Sequence, residues 1–175
     1  MKKEICIFAA FLGFFLAGTA RGQKPDFSGA WVMDPERSFS MGNVTAAEMT
    51  ISHRDPEFRL DARLTSPEGT KEVHEVWQTD GQEHDATPAG SRAGLRVVRK
   101  AFWLPDRRRL VLAEKTEEEK PEGRSVQSVT RKYALSADGG VLTVDYYIDR
   151  PQGSGEAKRV FRKRGSAARQ ASERF

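Results

Sequence analysis

Pro25-Asp26-Phe27-Ser28-Gly29-Ala30-Trp31-Val32-Met33-Asp34-Pro35-Glu36-Arg37-Ser38 is the stretch from which the fold is read. Phe27, Gly29, Trp31 and Met33 alternate with Ser28, Ala30 and Val32, so a strand puts the first four on one face. Gly29 leaves space beside a large indole, as a strand bent at a barrel corner requires. Asp34-Pro35 is expected to end the strand, because proline donates nothing to a ladder and restricts the residue before it. This reads as the first strand of an antiparallel barrel whose later strands close back onto it.

The rest of the chain supplies those strands. Glu48 to His53 is a candidate second strand, with Asp55-Pro56 as a turn. Glu57 to Leu64 places Phe58, Leu60, Ala62 and Leu64 inward and four charges outward, the mark of a sheet with one dry and one wet face. Thr70 to Gln78 follows the Ser66-Pro67-Glu68-Gly69 turn, and its apolar residues change parity between Val73 and Val76, which suggests a bulge or burial on both faces. Asp80-Gly81 marks a hairpin leading to a short Gln82-Glu83-His84 segment. Leu95 to Leu104 and Leu110 to Thr116 are further strands, with Glu117 to Gly123 read as a solvated hairpin tip.

Ser125 to Leu135 keeps Val129, Tyr133 and Leu135 in phase. Asp138-Gly139-Gly140 then turns the chain into a strand with Leu142, Val144, Tyr146 and Ile148 inward. Ala157 to Arg164 is the last strand. Roughly nine strands with turn signals about every 8–12 residues, and no sustained helical periodicity, predict an all-β fold. Consecutive hairpins favour an up-and-down antiparallel β-barrel of roughly 8–10 strands, because closure removes the exposed edges of a meander.

Upstream, Met1-Lys2-Lys3-Glu4 followed by the apolar run Ile5 to Ala17 and Gly18-Thr19-Ala20 reads as a signal peptide over residues 1–20, directing export to the periplasm or the medium. The run is short for a membrane span of about 20 residues, so no stable anchor is expected after cleavage. Residues 21–164 form the predicted barrel domain and 165–175 a disordered tail. Cys6, the single cysteine, lies in the leader. The exported chain thus has no thiol for a disulfide or a Cys-ligated metal, and its core alone must hold it. The 29 basic and 25 acidic residues are interleaved rather than blocked, which suits solvated strand faces and does not resemble a nucleic-acid footprint.

Gly29-Ala30-Trp31 resembles the Gly-x-Trp signature of lipocalin-like (calycin) barrels. That resemblance implies a tryptophan capping the closed end and packed against a basic residue near the end of the last strand. Arg159, Arg162 and Arg164 are the candidates, parity does not separate them, and Arg162 carries the expectation. Asp26 to Asp34 and Ser136 to Val144 also resemble the Asp-Phe-Ser-Gly-x-Trp-x-Leu-Asp start and the Ser-x-Asp-Gly-x-x-Leu-Thr-Val turn of small exported bacterial proteins of uncertain function.

Chemistry-bearing residues are sparse. His53, His74 and His84 are the only imidazoles; His74 and His84 flank a hairpin, an arrangement that does not by itself gather three or four metal ligands. There is no Gly-x-Ser-x-Gly elbow, Walker loop or Gly-x-Gly-x-x-Gly segment. No catalytic residue, metal or cofactor is therefore assigned. Arg107-Arg108-Arg109 reads as a solvated basic turn, and Phe102-Trp103 and Tyr146-Tyr147 each place one aromatic inward.

A barrel of this size is either filled by side chains or holds one small ligand. Phe58, Leu60, Tyr133, Val144 and Tyr146 are the expected lining, the two tyrosine hydroxyls supplying polar contacts. The expected function is an exported, monomeric barrel binding a small, mostly apolar molecule. The alternatives are a solidly packed interaction module, and a barrel enzyme using a histidine or tyrosine in the cavity.

Overall fold

A computed structural model of the chain describes residues 23–39, 44–121 and 123–165; the predicted leader and residues 166–175 of the predicted tail lie outside that range. The described residues form ten strands: β1 (Gly29–Phe39), β2 (Ala46–Arg54), β3 (Glu57–Ser66), β4 (Gly69–Gln78), β5 (Glu83–Asp85), β6 (Leu95–Trp103), β7 (Arg109–Lys120), β8 (Gly123–Leu135), β9 (Val141–Arg150) and β10 (Gly153–Lys163). All pairings are antiparallel, in the order β4-β3-β2-β1-β10-β9-β8-β7-β6-β5. This is the predicted up-and-down meander, closed by pairing its first and last strands into a nearly complete barrel. The hydrogen-bonded sheet ends at β4 and β5, and β4 meets β6 through side chains.

The closing ladder pairs Trp31 with Lys163, Val32 with Arg162, Met33 with Phe161 and Asp34 with Val160. Trp31 is buried, donates its indole N–H to the Phe27 carbonyl at 3.0 Å, and carries a cation over its ring. That cation is Lys163, with Nζ 5.4 Å from the ring centroid, and not Arg162. Side chains alternate across a strand, so Arg162 is turned to the other face, where its Nε donates to Asp34 at 2.8 Å. Arg164 pairs with Glu48 at 2.9 Å. Gly29 makes the lysine contact feasible: its φ is +141°, and Lys163 Cε lies 2.7 Å from where a Cβ would stand.

Pro35 does not end β1, as the sequence reading expected. The strand continues to Phe39 across a register shift between Asp34 and Phe39, and such an irregularity tolerates a residue without an N–H. Ser38 repairs the gap. Its hydroxyl donates to the Asp34 carbonyl at 2.6 Å and accepts from the Val160 N–H at 3.0 Å.

Two other expectations are corrected. β4 has no bulge, since its pairing with β3 runs in unbroken register from Glu57–Gln78 to Ser66–Gly69. Val76 accordingly faces outward and is exposed. Glu117 to Lys120 is strand and not a hairpin tip, pairing with Gly123 to Val126. Glu117 is buried there between Lys115 and Arg124, whose charges compensate it.

One end of the barrel is plugged by aromatics. Phe27, Phe58 and Tyr133 meet edge to face, with centroids 5.4–6.3 Å apart, and Trp103 stacks on Phe27 at 5.9 Å. The His53 ring joins them, and its Nε2 meets Asp55 at 3.1 Å. Asp55 also binds Lys24, accepts from the Thr79 hydroxyl at 2.8 Å and faces the Trp103 indole N–H. Burial works to raise the Asp55 pKa, but Lys24, Thr79 and His53 outweigh it and hold it down to about 2. The approach to β1 is thereby strapped across the closed end.

Truncating the indole removes a fully buried side chain and the ring beneath Lys163. Trp31→Ala is expected to lower stability by about 3–5 kcal/mol, measured by chemical denaturation. A near-neutral result contradicts the placement of Trp31 in the core.

Candidate functional site

Because the β3–β4 register is unbroken, Val73, Glu75 and Trp77 all point into the barrel. A carboxylate between two apolar residues is thus carried inside by strand alternation. Facing strands answer it with guanidiniums. Arg131 on β8 reaches Glu75 at 2.8 Å. Arg99 on β6 approaches Glu75 at 3.9 Å and binds Glu114 on β7 at 2.7 Å. The Trp77 indole N–H donates to Glu75 at 3.0 Å, and the guanidinium carbons of Arg99 and Arg131 lie 4.9 and 5.0 Å from the Trp77 ring centroid. This one cluster also spans the gap between β4 and β6, where backbone pairing is missing.

The cluster lies one layer above the aromatic plug. Burial disfavours the Glu75 carboxylate, but the Arg131 charge and hydrogen bond, the Trp77 N–H and Arg99 outweigh it and hold its pKa below the ordinary value. Arg131 is buried and stays charged for the reciprocal reason. Burial pushes the Tyr133 phenol up, so it remains neutral despite Arg131 beside it.

Between this layer and the opposite end lies a cavity of about 180 Å³. Its apolar wall includes Leu60, Leu64, Val73, Val129 and Phe161, and its polar wall Glu75, Glu114, Arg131, Tyr133, Tyr146 and Arg159. Arg159 on β10 lies with its guanidinium carbon 4.7 Å from the Tyr146 ring centroid and donates to that hydroxyl at 3.4 Å. The Nε atoms of Arg131 and Arg159 are both buried without a hydrogen-bond partner, a costly condition for a donor.

Of the five residues expected to line a pocket, Leu60, Tyr133 and Tyr146 do so. Phe58 and Val144 do not border the cavity; both are fully buried in the core, with Phe58 in the plug. The sequence reading missed Glu75, Arg99, Glu114, Arg131 and Arg159. Their available signal was parity, because Arg131 shares its phase with Val129 and Tyr133 on one strand and Glu75 shares its phase with Val73 and Trp77 on another. No histidine lines the cavity. His74 is exposed and binds Asp61 at 2.7 Å, while His84 binds Asp80 at 3.0 Å.

Removing the Glu75 charge leaves Arg131 buried and uncompensated. Glu75→Gln is expected to cost about 3 kcal/mol near neutral pH. A carboxylate whose folded pKa is depressed stabilises fully above its unfolded pKa, 4.5 here, and loses that contribution as pH falls through the lower folded value. The melting-temperature gap between wild type and Glu75→Gln should therefore be constant from about pH 6 to 8 and shrink below about pH 5. A gap that does not narrow in acid contradicts the pairing.

No protein family matches this chain, and no curated protein matches it. Among solved structures, the chain is similar to the zebrafish ileal bile acid-binding protein complexed with cholic acid. The two are 14% identical, the match covers 78% of this chain and 98% of that one, and the TM-score is 0.46.

Proposed function

We propose that the protein is an exported barrel that holds one small, mostly apolar molecule in its interior. The observation that supports this reading is the cavity itself, about 180 Å³ with an apolar wall facing a polar one. An engineered apolar cavity of roughly 150 Å³ is enough to take up benzene, so the space suits a molecule with one or two rings or a short chain. Long, multi-ring ligands fill the roughly 300–1,000 Å³ of typical drug-sized sites and exceed this volume. A protein interior is normally close-packed. A void beside buried polar groups is consistent with a binding role for the space. Export is part of the proposal and rests on the leader-like character of Met1 to Ala20.

A neutral, naphthalene-sized fluorophore tests the reading. Saturable binding at micromolar concentrations is expected for wild type. Val129→Phe, which fills the cavity from β8, should abolish binding while the melting transition persists, and Tyr133→Phe and Tyr146→Phe should weaken it. Absence of binding to wild type, or undiminished binding to Val129→Phe, refutes the proposal.

A further inference from the structure

We infer that the molecule held in the cavity carries a single negative charge, an apolar body bearing one carboxylate, with Arg159 as the residue that selects for that charge. This inference rests on the interior-binding reading above.

Two carboxylates point into the cavity, and each already has a guanidinium: Glu75 is bound by Arg131 at 2.8 Å and Glu114 by Arg99 at 2.7 Å. Glu48, at the rim, lies between buried Ala47 and Met49 and turns its carboxylate outward to Arg164 at 2.9 Å. Arg159 is the cation left over. Among the described residues no carboxylate lies within ion-pair distance of it, and its contacts are the Tyr146 ring and hydroxyl. The cavity wall therefore holds one positive charge that no carboxylate among the described residues balances.

A charge in a poorly solvated interior is stable only when paired and hydrogen-bonded. The wall also has two guanidinium N–H groups without acceptors, Nε of Arg131 and Nε of Arg159. An incoming carboxylate supplies both missing items, a negative charge and acceptor oxygens in the planar geometry that a guanidinium fork matches. Tyr146, already on Arg159, and Tyr133, kept neutral by burial, are phenols able to donate to the same oxygens. A cationic guest would instead meet Arg159 unscreened, and a neutral one would leave it uncompensated.

Octanoate and octanol share a chain and differ in the head group, so titrating each into the full-length protein by calorimetry at neutral pH separates charge from apolar fit. Octanoate is expected to bind wild type at least about tenfold more tightly than octanol, the effect of a hydrogen bond to a charged group. Arg159→Gln should remove that preference, bringing the ratio of octanoate to octanol affinity to about one. Arg159→Lys, which keeps the charge, should retain part of the preference, and it serves as the comparison should the glutamine variant melt markedly lower. Equal binding of the two by wild type, or a preference that survives Arg159→Gln, overturns this inference and leaves the cavity reading intact. Binding of neither overturns both.

Discussion

The β1–β10 ladder is the constraint on which the rest of the molecule depends. A meander of ten strands has two raw edges, and an antiparallel protein must pair, cover or charge them. Pairing the first strand with the last puts Trp31 opposite Lys163 and Met33 opposite Phe161. It also moves the break in the hydrogen-bonded sheet to the far side of the barrel, between β4 and β6. There the backbone bonds are replaced by side chains, with Trp77 and Glu75 reaching from β4 toward Arg99 on β6 and Arg131 behind them. Closure at one place and ionic stitching at the other are two parts of a single topology.

The same topology explains why the interior is not uniformly apolar. The seam cluster lies inside the wall, so its charges border the cavity. Ion pairs in such a position are a weak source of stability, because desolvation offsets much of the attraction. An apolar seam of equal volume would hold the strands as well. The retained charges, together with Arg159, give the cavity a polar wall facing an aliphatic one. A protein that needed only a solid core would have little use for that asymmetry.

Most of the fold was legible in the sequence because its strands alternate strictly. Glu57 to Leu64 and Leu142 to Asp149 display one wet and one dry face without ambiguity, and the Gly29-Ala30-Trp31 start and the final basic strand pointed to closure. Two of the misses, at Glu117 and at the interior arginines, come from reading charge as a mark of solvent. Glu117 was assigned to a turn although its neighbours Lys115 and Arg124 neutralise it within a ladder. Val76 suggested a bulge or burial on both faces because it breaks parity with Val73, whereas the unbroken register simply leaves it exposed opposite an inward Glu75. Arg131 and Arg99 were not placed inside, and Arg159 was weighed only as a partner for Trp31 and not as a residue lining the cavity. What decides these positions is the pairing of charges from strands distant in sequence, such as Glu75 with Arg131, and one strand read alone cannot disclose it. The cation on Trp31 fell one residue from the expected Arg162, since the register of two strands more than a hundred residues apart is fixed by their pairing.

The closing ladder is most directly tested by cross-strand nuclear Overhauser effects in the folded protein. The account predicts contacts between Val32 and Arg162 and between Met33 and Phe161, in that register, with slowly exchanging amides along the ladder. Their absence, or a register displaced by one residue, would turn Trp31 away from the core and contradict the closed barrel.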